Sequence, residues 1–327
     1  MTTSLPGIWK ARSIIAEIEM SKVSIIIPSR NETYEVKPGV TVLQRMVQDI
    51  YEKATGDFEV LVGFDGPPYQ DFPDYPNLRL FKLPDPIGLK PTVNLLAGMA
   101  NGKYIYKSDS HCMFGEGFDE ILQADMEDNW LVTPRFYVLD AERWAWQDER
   151  HYDYFYLSCP FTDRQGFRFK AGGHWPERTA EREGKPEYLI DETMQLHGSG
   201  WFLTKDFYWN CLKGMSSEGY DNYAMEPPEL GLKTWLGPWD GKVMVNKKTW
   251  YAHMHKGGQR PRGWPLTTER ITKSYSWCAR FWMGNHWEDR VNDLSWLITK
   301  FWPVPTWPEN WSKIYKKWLI DNHLYKK

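Results

Sequence analysis

Tyr104-Ile-Tyr-Lys-Ser-Asp-Ser-His111 is the stretch on which the reading of this chain turns. Its opening residues are aromatic and β-branched enough to form a short strand. The strand runs directly into an Asp-x-His pair, Asp109 and His111, ahead of a helix-like segment over 115–128. A carboxylate and an imidazole two residues apart can share one divalent cation. The ends of strands in an open sheet are also where such folds bind ligands. On spacing alone two readings stay open: a metal site for a phosphate-bearing substrate, or an ordinary surface turn.

Upstream, Val23-Ser-Ile-Ile-Ile-Pro28 is a nearly continuous apolar run, the pattern of a parallel strand covered on both faces. It ends in the polar loop Ser29-Arg30-Asn31-Glu32. Apolar residues at helical spacing predict a helix over 41–54. A second buried strand over 58–65 closes on Asp65-Gly66, a third lies over 78–83, and a helix of small residues over 91–101 leads back to Tyr104. Strand, helix, strand, strand, helix, strand predicts an α/β domain. That order puts Arg30, Asp65 and Asp109 at one edge of a largely parallel sheet. A nucleotide's base and ribose would lie over the first two loops and its diphosphate over the third. The chain has no GxGxxG and no GxxxxGK[ST], which argues against a dinucleotide fold of the usual kind and against a P-loop.

Downstream, 130–136 reads as a strand, and 140–187 as an irregular, aromatic and charged insertion. In His197-Gly-Ser-Gly-Trp-Phe-Leu203, Gly198 and Gly200 would let backbone approach a ligand closely, or mark a bulge in a core strand. A short helix is expected over 206–212. Glu226-Pro-Pro-Glu229 opens a helix over 230–236, with proline in its first turn and acids at its positive end. A strand over 243–246 leads to His253 and His255, then to a glycine-flanked basic loop over 257–263. Helices over 267–282 and 291–301 precede a Pro/Trp-rich run and a basic end.

The 327 residues carry a net charge of −3, unevenly distributed. Residues 247–327 hold 15 Lys and Arg against 6 Asp and Glu, a balance of +9 that leaves −12 for the rest. A basic end on an acidic body suits phosphate, nucleic acid or anionic lipid, or is a solvated helical face. Four scattered cysteines without CxxC spacing fit a reducing cytoplasm. Residues 1–22 read as a helical or loose lead-in without the apolar core of a signal peptide. No apolar run approaches the roughly 18 residues of a membrane span, so membrane contact would be peripheral. The 19 tryptophans crowd toward the C-terminus, as sugar or base platforms or simply as core.

These motifs together resemble a GT-A glycosyltransferase of the family-2 type, in particular the catalytic domain of polypeptide N-acetylgalactosaminyltransferases. Asp109-Ser-His-Cys112 matches that family's metal motif in all four residues. The spacing from Gly88-Leu89 through Ala100 and Gly102 to Asp109 also fits it. Val23 to Glu32 resembles its first strand, with Arg30-Asn31-Glu32 in place of His-Asn-Glu. His197-Gly-Ser-Gly-Trp-Phe stands at its Gly-Gly-rich strand, Glu226 and Glu229 at its Glu motif, and His253 at the histidine that completes its metal site. The resemblance covers about residues 22–256. Phe64-Asp65 replaces the family's Asp-Asp pair, Pro227-Pro228 interrupts the Glu motif, and nothing resembles its lectin domain.

The resemblance implies an α/β GT-A fold over 23–265, with a mostly parallel central sheet flanked by helices, and a Trp-rich helical extension over 266–327. It implies Mn²⁺ or Mg²⁺ on Asp109, His111 and His253, bridging the diphosphate of a nucleotide sugar, UDP-linked. Implied donor-binding residues are Pro28, Arg30, Glu32, Asp65, Lys90, Ser110, Gly198, Gly200 and Trp201, with Lys256, Arg260 and Arg262 closing over the phosphates. An inverting reaction needs a carboxylate base, for which Glu226 comes first and Glu229 and Asp191 behind it. Retention, toward which the resemblance leans, needs none. The acceptor would be a glycan or lipid-linked sugar, or DNA with a hydroxylated base. A nucleotidyltransferase would carry a glycine- and arginine-rich loop where Pro28-Ser-Arg-Asn-Glu32 stands, and a non-catalytic sugar- or nucleic-acid-binding module would rely on the basic, Trp-rich end.

Overall fold

The computed structural model describes residues 22–170, 173–221, 224–255 and 266–325. The lead-in over 1–21 and the basic loop with Lys256, Arg260 and Arg262 lie outside the described residues.

Among the described residues ten strands form one sheet: β1 (Val23–Ser29), β2 (Phe58–Phe64), β3 (Leu78–Lys82), β4 (Tyr104–Ser108), β5 (Cys112–Phe114), β6 (Trp130–Asp140), β7 (Ala145–Tyr152), β8 (Ile190–Glu192), β9 (Gly200–Thr204) and β10 (Lys242–His253). Their order is β8-β10-β6-β9-β4-β1-β2-β3, with β5 added to β10 and β7 to β6. β1 to β4 pair in parallel, as do β6 and β10. β9 is antiparallel to both of its neighbours and joins the two parallel blocks. The architecture is α/β with a largely parallel, curled sheet, the GT-A arrangement.

The sheet is buried on both sides near β1, as its nearly continuous apolar run requires. Ile25 and Ile27 face one helix layer, where α1 (Val42–Lys53) packs Leu43, Met46, Val47 and Ile50 against them. Ile26 faces the other layer, with Val93, Leu96 and Ala97 of α2 (Leu89–Met99). A capping box between Thr41 and Gln44 sets the start of α1.

Several elements differ from the expectations. The helix expected over 115–128 is shorter, α3 (Phe118–Ala124). The helix expected over 206–212 is a π-helical turn, Phe207–Cys211. The strand expected over 243–246 is the first part of β10, which continues through Lys247-Lys248 past a register shift to His253. The expected irregular insertion contains β7 and α4 (Pro176–Arg182). Residues 147–150 of β7 are all exposed and charged or polar, so they carry no apolar signal.

The C-terminal helices are α5 (Glu226–Leu236), α6 (Thr268–Met283), α7 (Leu294–Lys300) and α8 (Trp311–Asp321), the last falling where only a basic end was expected. They share a hydrophobic core with the α2 face of the sheet: Cys278, Trp282, Leu297, Trp307 and Tyr315 join Ile26, Val93 and Leu203 in one cluster. Trp235, Trp282, Trp307 and Trp311 are buried in this core, and ring N–H groups there find buried acceptors. Trp307 Nε1 donates to Leu157 O at 2.7 Å, and Trp282 Nε1 to Tyr220 Oη at 3.0 Å.

Candidate metal and donor site

The turn after β4 is pinned from both sides. Asp109 N donates to Ser199 O at 2.9 Å, and Met254 N donates to His111 O at 3.1 Å. β5 then pairs antiparallel with the end of β10, setting His253 opposite Cys112. These backbone bonds bring Asp109, His111 and His253 together, one ligand atom from each lying within 4.8 Å of the others. His253 Nε2 stands 3.3 Å from Asp109 Oδ2, and the two imidazoles are 4.7 Å apart between centroids.

The electronic state of the three suits a cation. His253 Nδ1 is buried without a hydrogen bond, and Nε2 has only the Asp109 carboxylate beside it, a costly state unless another ligand completes the ring. Burial, more than any neighbour, holds this ring well below the usual histidine pKa, so it is neutral and able to ligate. Burial alone would raise Asp109, but the Lys107 ammonium and His253 outweigh it and hold the carboxyl well below its ordinary range. His111 Nδ1 is 3.0 Å from Glu32 Oε2, which also accepts from Ser110 Oγ at 3.0 Å. A carboxylate behind one imidazole nitrogen fixes the orientation of the ring. The donor set of one carboxylate and two imidazoles fits Mn²⁺.

Lys107, one strand position before this turn, was not among the expected site residues. It is completely buried, and its Nζ donates to Asp109 Oδ1 at 2.7 Å and Gly198 O at 2.6 Å. The same Nζ lies 3.1 Å from Glu226 Oε1. Burial would depress its pKa, but Asp109 and Glu226 together raise it. Glu226 also accepts from Trp201 Nε1 at 2.5 Å. Burial pushes the Glu226 carboxyl up against the opposing pull of Lys107.

The remaining expected site residues divide. Pro28 and Arg30 lie at the end of β1, where Arg30 Nη1 pairs with Asp65 Oδ2 at 3.4 Å. Asp65 is itself buried, and its Oδ1 accepts from Ile87 N at 2.5 Å and Gly88 N at 3.0 Å, tying the loop before α2 to the strand edge. Glu32 and Ser110 stand behind His111, supporting the ligand set. Gly198 and Gly200 serve packing: a Cβ at Gly200 would stand 3.0 Å from the Tyr251 ring, and one at Gly198 would stand 3.1 Å from Pro227 Cγ. Trp201 is fully buried behind Glu226. Lys90 is buried too, bonded to Glu229 Oε2 at 2.6 Å and lying 3.3 Å over the Tyr220 ring. Glu229 is closed off by Lys90, Lys233 and Ser216 N. Asp191 is held by Arg182 and Tyr154 opposite Val245, eight residues before His253 on β10, roughly 25 Å away at ~3.3 Å per residue. Neither Lys90, Glu229 nor Asp191 is brought to the ligand cluster.

A second group, His151, Asp153 and Glu183, also has metal-like proximity. Arg135 already bonds both oxygens of Asp153 at 2.8 Å and Glu183 at 3.2 Å. It is an ion-pair network with its cation built in.

Sheet order and the place of the Asp-x-His turn at a strand end are those of the GT-A fold. Residues 24–182 match the family model for glycosyl transferase family 2. Among solved structures the fold is similar to that of GalNAc-T7 crystallised with UDP, GalNAc and Mn²⁺, with 15% identity and a TM-score of 0.62 over 92% of this chain. This chain spans 55% of the length of that one. A more distant likeness is to S. aureus TarS, at 12% identity and a TM-score of 0.44, covering 72% of this chain and 37% of the other. No curated protein sequence matches this chain.

Proposed function

We propose that this chain transfers a sugar from a nucleotide-diphosphate sugar, UDP-linked, to a hydroxyl of a glycan or lipid-linked acceptor, using Mn²⁺ or Mg²⁺ on Asp109, His111 and His253. The observation that carries the reading is the convergence of Asp109 and His111 with His253, distant in sequence, whose Nδ1 has no hydrogen bond and whose Nε2 faces only Asp109. The presence of UDP and Mn²⁺ with GalNAc-T7 supports the choice of donor and metal. When bound, the cation would neutralise the diphosphate and stabilise the departing nucleoside diphosphate.

The chain's own residues do the positioning. Glu32 orients His111, and the turn's two backbone bonds hold Asp109 beside His253. Arg30, half-buried at the end of β1, lines the edge assigned to base and ribose. Of the three carboxylates considered for catalysis, Glu226 is the one at the cluster, and we assign it to the acceptor side of the reacting centre. Lys256, Arg260 and Arg262 follow His253 closely in sequence and are assigned to the phosphates. No described helix is long and apolar enough to cross a membrane. All four cysteines are free, consistent with a reducing compartment such as the cytoplasm.

The test is a panel of UDP-sugars assayed for UDP release with Mn²⁺ and with chelator, in wild type and Asp109→Ala. Mn²⁺-dependent release from one donor, lost by about two orders of magnitude or more in the variant, supports the reading. Equal rates in the two proteins would sink it.

A further inference from the structure

Lys107 sits in the candidate metal site without belonging to the ligand set. Lysine has three N–H donors and no acceptor, and here all three are directed at acceptors inside the protein: Asp109 Oδ1 at 2.7 Å, Gly198 O at 2.6 Å and Glu226 Oε2 at 3.3 Å. The ammonium therefore needs no water, which is why it can be completely buried at the end of β4. One of the two Asp109 oxygens is thereby occupied. The other, Oδ2, is the one that faces His253 at 3.3 Å.

The charge at this turn follows from those contacts. Asp109 is the only carboxylate among the three proposed ligands. Its charge already has a cation at hydrogen-bond distance, and the neighbouring carboxylate, Glu226, shares that same ammonium with Asp109. Lys107 offsets one of the three carboxylate charges at this turn, those of Asp109, Glu226 and Glu32 behind His111, and a dication approaching the two imidazoles and Oδ2 is repelled by that ammonium a few ångströms away in a poorly screened interior. A diphosphate arriving with the ion would add negative charge that offsets this repulsion.

We propose that Lys107 is a resident counter-cation of the metal site: it restricts Asp109 to a single metal-ligating oxygen and makes divalent-ion binding depend on a nucleoside diphosphate arriving with the ion. Lys107 is thus a positioning residue, acting through Asp109. The proposal rests on the metal-site reading above and extends it to the order in which the site fills. With its cation already in place, the site keeps its shape before the donor binds and disfavours capture of a bare ion.

The test is Mn²⁺ binding followed by the electron paramagnetic resonance of free Mn²⁺, with and without UDP, in wild type, K107M and D109A. Wild type is expected to bind Mn²⁺ weakly alone and at least about tenfold more tightly with UDP. K107M is expected to bind Mn²⁺ alone at least about tenfold more tightly than wild type, and to gain less from UDP. K107M leaves Glu226 buried without its cation and can fail to fold. The pair K107M/E226Q against E226Q removes that imbalance and is expected to show the same gain. If Lys107 removal leaves Mn²⁺ binding unchanged or weaker in both backgrounds, while D109A abolishes it, the counter-cation is overturned and the metal site stands. If D109A binds Mn²⁺ like wild type, both fall.

Discussion

Replacing Lys90 by methionine separates a donor-binding role from a structural one. Lys90 was expected to contact the donor, yet its ammonium is buried against Glu229, Ser216 O and the face of Tyr220. Its pKa is lowered by burial, with Glu229 opposing the shift. Removing one partner of a buried pair costs about 3–5 kcal/mol, because it strands the other charge. Here Glu229 keeps Lys233 at 2.9 Å and Ser216 N at 2.6 Å, so the lower end, about 3 kcal/mol, is the expected cost. Unfolding entropy of ~2.1 cal/mol/K per residue over 327 residues comes to roughly 0.7 kcal/mol/K, so Tm should fall by about 4 °C. Scanning calorimetry reads that shift, and the donor KM of the same variant should stay within about twofold of wild type. A Tm within about 1 °C of wild type together with a donor KM raised tenfold or more would refute the structural assignment.

Three further outcomes are expected. Glu32→Gln weakens the carboxylate behind His111 and should loosen Mn²⁺ binding by about 10–100-fold, measured by titration with UDP present; an unchanged affinity would remove Glu32 from the site. Gly200→Ala forces a methyl to 3.0 Å from the Tyr251 ring and 3.1 Å from Tyr106 Oη, for an overpacking cost of about 1–3 kcal/mol in chemical denaturation; full stability would show that the rings yield freely. His174 has its pKa lowered by burial, against the pull of Asp153. The unfolded chain therefore takes up the proton first as pH drops below about 6.5. Stability should fall with decreasing pH through that window, down to the folded pKa, at up to ~1.4 kcal/mol per pH unit. His174→Gln should flatten the curve there, and an identical curve would contradict the assignment.

The parts of the fold legible in sequence are those whose burial is two-sided. β1 and β2 are nearly continuous apolar runs, broken only by Ser24 and Glu59, because helices cover both faces, and the strand-ending loops at Arg30, Asp65 and Asp109 follow from that order. The Asp109 and His111 pair could be read from spacing, whereas His253 needed the resemblance, since β10 carries it past two lysines and a register shift. Lys107 was illegible because a lysine in a short strand ordinarily reads as solvent-facing, and only the contacts with Asp109, Gly198 and Glu226 show otherwise. Gly198 and Gly200 signal close approach, but not what approaches; the neighbours are Pro227 and Tyr251. Helix α8 was hidden because lysines and prolines around it mask the Trp311 and Tyr315 spacing that buries its inner face.

Anomalous scattering from a crystal soaked with Mn²⁺ and the UDP-sugar selected by the release assay tests the metal site most directly. The expected result is one manganese peak ligated by Asp109 Oδ2, His111 and His253 together, at roughly 2.0–2.3 Å. A peak elsewhere, or one that leaves His253 out of the ligand set, would contradict it.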